Sequence, residues 1–73
     1  MMMTRDGDAE VRRVVAERIA PEEVSVLLSD EDWRVRLTAV SRAPLEFVRG
    51  VLEDEDPDVA AVARRRWEEE RVG

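Results

Sequence analysis

The sequence predicts an all-helical fold built from about three copies of one 24-residue unit, and three observations carry that reading. The first is a motif. Asp-x-Asp-x-x-Val occurs at Asp6–Val11, Asp30–Val35 and Asp54–Val59, each 24 residues after the last. The second is the register beyond the motif. Arg18, Arg42 and Arg66 share it, as do Glu22, Glu46 and Glu70, and Val24, Val48 and Val72. Residues 6–29 and 30–53 agree at 8 of 24 positions, and residues 30–49 and 54–73 at 8 of 20. Unrelated segments would agree at roughly one or two positions, so the recurrence marks an internal repeat. The third is the spacing of apolar residues between motifs, at three and four rather than two, interrupted by Pro21 and Pro44.

Each element follows from local chemistry. Asp8 is positioned as an N-cap, because its carboxylate can accept the free N–H groups of a first helical turn. The spacing predicts a helix over 9–19, with Val11, Val14, Val15 and Arg18 on one face. Ala20-Pro21 ends it, since the residue before proline avoids helical geometry and proline suits a first helical position. A short helix over 21–29 then carries Val24, Leu27 and Leu28 inward. Asp32 caps the next long helix, over 33–42, with Val35, Ala39 and Val40 inward. Ala43-Pro44 ends that helix, and a short helix over 45–52 carries Phe47, Val48, Val51 and Leu52. Gly50 weakens this segment by up to about 1 kcal/mol relative to alanine. Either a close helix approach or a 3₁₀ turn would account for it. Asp56 caps the last helix, from Pro57 to about residue 71, with Val59, Val62, Ala63 and Trp67 inward. Arg64–Glu68, Arg65–Glu69 and Arg66–Glu70 are spaced as i,i+4 ion pairs. This long charged helix is expected to cap the array. The whole is one small domain: a frayed 1–5, units at 6–29 and 30–53, and a partial third unit with the capping helix at 54–73.

The motif and its surroundings resemble the leucine-rich repeat variant family and, more broadly, the HEAT-like helical repeats. The resemblance rests on Asp-x-Asp-x-x-Val-Arg, a Val/Ala face, a proline-broken corner and a short Leu-bearing helix, and it covers 6–67. It implies a short right-handed α-solenoid in which long α-helices alternate with short α or 3₁₀ helices. It further implies an Asp–Arg ladder between neighbouring units, matched here by Asp8/Arg12 and Asp32/Arg36. Ala60 stands where the third unit would need arginine, so the ladder should end there. A relative carries an iron–sulfur cluster on an N-terminal cysteine segment; with no cysteine in this chain, no cofactor is carried over.

Composition narrows the function. Charged residues make up 41% of the chain, with a formal net charge of −6, and every basic residue is arginine. Codon usage is the plain reading of that choice; bidentate pairing with carboxylates is the functional one. The acidity argues against general nucleic-acid binding, which rests on clustered positive charge. There is no histidine or cysteine to act as base, nucleophile or usual transition-metal ligand. Ser25, Ser29 and Ser41 have no evident activating neighbour. The acidic runs lack the alternating ligands and central glycine of a calcium loop, so no metal is expected. No segment is apolar for long enough to span a membrane, and nothing resembles a leader peptide, so the expected location is the cytoplasm.

The remaining reading is a non-enzymatic module that binds a protein partner or itself. Trp33, Phe47, Arg18 and Arg42 are the candidate contacts. Trp33 follows a cap, where side chains are often exposed, whereas Trp67 lies on the apolar stripe and is expected in the core. The row Arg18, Arg42, Arg66 reads first as an internal ladder to acidic residues of the adjacent unit. The alternative is an arginine row on a concave surface that grips acidic peptide or phosphate, and the runner-up function is a phosphate- or nucleic-acid-binding module that uses this row.

Overall fold

The computed structural model describes residues 8–72, and among them every regular element is a helix. Helix α1 spans Ala9–Arg18, α2 Pro21–Val24, α3 Trp33–Arg42, α4 Leu45–Val48 and α5 Pro57–Val72. A 3₁₀ turn extends α2 over Ser25–Ser29, and another extends α4 over Arg49–Val51. The expected fray at 1–5 and Asp6 of the first motif lie outside the described residues.

The helix starts recur every 24 residues because the caps do. Asp8 accepts a hydrogen bond from the Glu10 N–H at 3.1 Å, and Asp32 accepts one from the Arg34 N–H at 2.8 Å. Asp56 accepts from the N–H groups of both Asp58, at 2.9 Å, and Val59, at 3.1 Å. Each cap satisfies main-chain donors that the first turn leaves without a partner. The helix ends follow proline. Ala20, before Pro21, and Ala43, before Pro44, both turn extended, with ψ of 144° and 150°.

The short segments are not single helices. Each makes one α turn and then tightens to 3₁₀, which brings the chain round to the next cap in few residues. Gly50 lies in the second such turn, and a methyl group there would meet nothing within 4 Å. The 3₁₀ turn therefore accounts for its setting, and close helix approach does not.

Helix α3 is the middle of the structure. It packs on α1 and the first 3₁₀ turn on one side and on α5 on the other. Val35, Ala39, Val40 and Ala43 are fully buried there, with Val24, Val48, Val59 and Ala63 from the flanking elements. A core of small and β-branched residues lets helices approach closely, and each fully buried valine contributes about 1.5–3 kcal/mol.

Three expected core positions differ. Val11 and Val15 are 56% and 41% exposed, although Val35 and Ala39 in the next register, and Val59 and Ala63 after that, are all at 0%. The face of α1 they share with Arg18 is exposed. Trp67 is only half-buried. It lies beyond the core, with the Arg49 guanidinium 6.0 Å from its ring centroid, the outer range of a cation–π contact.

Candidate functional site

The charged residues that the motif repeats form two sets of internal contacts. In the first, Arg12 donates from Nε to Asp30 Oδ2 at 2.8 Å and from Nη2 to Oδ1 at 3.1 Å. Arg36 does the same to Asp54, at 3.0 and 3.1 Å. Each planar guanidinium thus meets a carboxylate with two parallel bonds. The ladder differs from the expected one in its acid. Asp8 and Asp32 cap their own helices, and the first aspartate of the following motif takes the arginine. That aspartate also accepts from its own loop: Asp30 from the Asp32 N–H at 2.9 Å, Asp54 from the Asp56 N–H at 2.8 Å. The two aspartates of Asp-x-Asp therefore have separate tasks, one between units and one within. Arg36 goes further and donates through Nη1 to the carbonyls of Asp30, at 2.9 Å, and Glu31, at 3.3 Å. At Ala60 there is no guanidinium to continue the series.

The second set is the arginine row. Arg42 Nη1 donates to the Ala16 and Ile19 carbonyls, both at 2.8 Å. One register later, Arg66 Nη1 donates to the Val40 and Ala43 carbonyls, at 3.0 and 2.6 Å. The acceptors are last-turn carbonyls that the proline breaks leave unpaired, not acidic side chains. A cation here also meets the negative end of the helix dipole. Arg42, a candidate partner contact, is instead half-buried and holds α3 to the end of α1. Arg66 adds a bidentate pair with Glu70, at 2.7 and 2.9 Å. Of the three expected i,i+4 pairs in α5 only this one forms among the described residues. Arg64 donates instead to the Leu52 carbonyl at 3.0 Å. Arg18, the first of the row, is exposed, and no hydrogen bond or ion pair engages its side chain among the described residues.

The electrostatics match these contacts. Burial alone would raise the Asp30 carboxyl, but hydrogen bonds from Arg12 and the Asp32 N–H outweigh it and hold the pKa below its ordinary value. Asp32 is lowered to about 2, by the Arg34 side chain first and the Arg34 N–H second. Glu10 is lowered by Arg13, and Glu70 by Arg66. No buried side-chain nitrogen or oxygen lacks a hydrogen-bond partner among the described residues. No cluster of acidic residues there is arranged to hold a metal ion, and no helix is long and apolar enough to cross a membrane.

What stays outward and apolar is a short set. Trp33 and Phe47 are each 41% exposed, on α3 and α4. Val26 is 71% exposed, and Val11 and Val15 join it. The carbonyl acceptors of the arginine row were missed from sequence, although a signal existed. Arg42 and Arg66 each come 23 residues after the last free carbonyl before a proline break.

Comparison with protein-family models, curated proteins and solved structures gives no significant match.

Proposed function

We propose that the chain is a non-enzymatic helical-repeat module that binds a protein surface. Its units at 6–29, 30–53 and 54–73 would stack as a short right-handed solenoid of the leucine-rich repeat variant, HEAT-like kind. The stacking reading is supported by two hydrogen-bond patterns that recur 24 residues apart, Arg12–Asp30 with Arg36–Asp54 and the Arg42 clamp with the Arg66 clamp.

The binding reading rests on one observation: of three aromatic residues in the chain, Trp33 and Phe47 are left substantially in solvent while valine, alanine and leucine fill the core. Aromatic side chains at a surface are common anchors of protein interfaces. The alternative, a phosphate- or nucleic-acid-binding arginine row, is disfavoured because Arg42 and Arg66 are engaged on main-chain carbonyls.

The test is site-specific photo-crosslinking from position 47 with and without Trp33→Ala, and from position 33 with and without Phe47→Ala. A partner or second copy captured from these positions, and lost in the alanine variants with helix content unchanged, supports the reading. Capture that survives both substitutions contradicts it.

A further inference from the structure

The α1 face bearing Val11, Val15 and Arg18 is the surface that the structure buries at every later register. Its counterparts on α3 are Val35, Ala39 and Arg42; those on α5 are Val59, Ala63 and Arg66. The four apolar counterparts are at 0% exposure, and each arginine donates to two carbonyls three residues apart at the end of the preceding long helix. On α1 the valines are in solvent and the arginine has no partner among the described residues. What covers this kind of face is therefore recorded twice within the molecule: a long helix and its 3₁₀ turn, the long helix ending at a proline break.

We propose that the exposed α1 face is a docking end for one further helical unit of this type, belonging to a partner protein. Arg18 would donate to two free carbonyls at the broken end of the partner's long helix, and Val11 and Val15 would pack on its apolar side. This deepens the protein-binding reading and rests on it. A second copy does not offer the required end. Its two proline-broken helices already hold Arg42 and Arg66. Its last helix runs unbroken through 64–67, where the matching carbonyls would be, and presents the exposed Arg64.

The full chain can be given such a unit. A copy of residues 30–53 joined ahead of residue 6 preserves the register, since residue 54 follows 53 in the same way. The probe is that extended chain, compared with the original in thermal unfolding. The expected result is one cooperative transition at higher Tm. Arg18→Ala should lower Tm by about 5 °C or more in the extended chain and by about 1 °C or less in the original. Val15→Asp should follow the same pattern. Three results would overturn the proposal: an extension that melts separately or fails to fold with the rest; an Arg18→Ala shift equal in both chains, which would mean that something in the original already covers the face; or a concentration-dependent dimer of the original that Arg18→Ala dissociates, which would assign the face to a second copy. Neither Trp33 nor Phe47 is altered, so crosslinking from those positions reports on the wider binding reading independently.

Discussion

Arg36→Met removes a side chain that bridges two units. Its guanidinium makes four hydrogen bonds, two to Asp54 at 3.0 and 3.1 Å and two to the carbonyls of Asp30 and Glu31 at 2.9 and 3.3 Å. The arginine and aspartate side chains are only 11% and 8% exposed. Met preserves much of the aliphatic stem, so the loss falls on the polar contacts. Breaking a buried pair by removing one partner costs about 3–5 kcal/mol, because the other charge stays behind undersatisfied. Asp54 would keep only its own-loop N–H among these donors. A domain of this length has a total stability of about 4–11 kcal/mol, at roughly 0.05–0.15 kcal/mol per residue. The variant should therefore sit near the edge of folding. Urea unfolding followed by far-UV circular dichroism measures this, and adding Asp54→Asn completes a double-mutant cycle. The expected coupling between the two positions is at least about 1 kcal/mol. A loss below about 1 kcal/mol for Arg36→Met, or additive effects of the two changes, would mean that the buried pair does not hold the two units together.

Gly50→Ala should stabilise by about 0.4–1 kcal/mol in the same assay, since the added methyl meets no atom and the unfolded chain loses freedom. Arg42→Ala, which frees the Ala16 and Ile19 carbonyls, should cost about 1–3 kcal/mol, whereas Arg18→Ala should leave the stability of the chain nearly unchanged. Acid should unfold the protein. The Asp30, Asp32, Glu10 and Glu70 carboxyls all have folded pKa values below their ordinary ones, so the unfolded chain takes up protons first. Their contribution is complete above the ordinary values of 3.8 and 4.5 and is lost as pH falls, for Asp32 down through about 2. Urea midpoints that fall below about pH 4.5, with no decline between about pH 5 and 8, are the expected outcome. Trp33→Ala should change stability by less than about 1 kcal/mol, because the side chain is substantially exposed.

The caps and proline breaks were legible because they act locally. An aspartate followed by an apolar helical pattern marks a start wherever it lies, and α3 occupies the span its sequence predicts, Trp33–Arg42. Which face of α1 is inward was not legible. Val11, Val14 and Val15 satisfy helical periodicity, but periodicity identifies an apolar face without saying that a neighbour covers it. Trp67 misled for a related reason, since it continues the α5 stripe but is only half-buried. The arginines show a different limit. Their 24-residue spacing was plain, but sequence favours a charged partner for a charge. The acceptors of Arg42 and Arg66 are main-chain carbonyls, whose availability depends on where the preceding helix stops. The division of labour within Asp-x-Asp is likewise a matter of loop geometry.

The arginine row clamps one long helix to the next and leaves its first member open. Nuclear magnetic resonance of the guanidinium protons, with isotope-labelled arginine, tests it directly. Slowly exchanging, individually resolved signals are expected for Arg42 and Arg66, and a signal averaged as in a free side chain for Arg18. Rapid averaging at Arg42 and Arg66, or protection at Arg18 in the isolated chain, would contradict it.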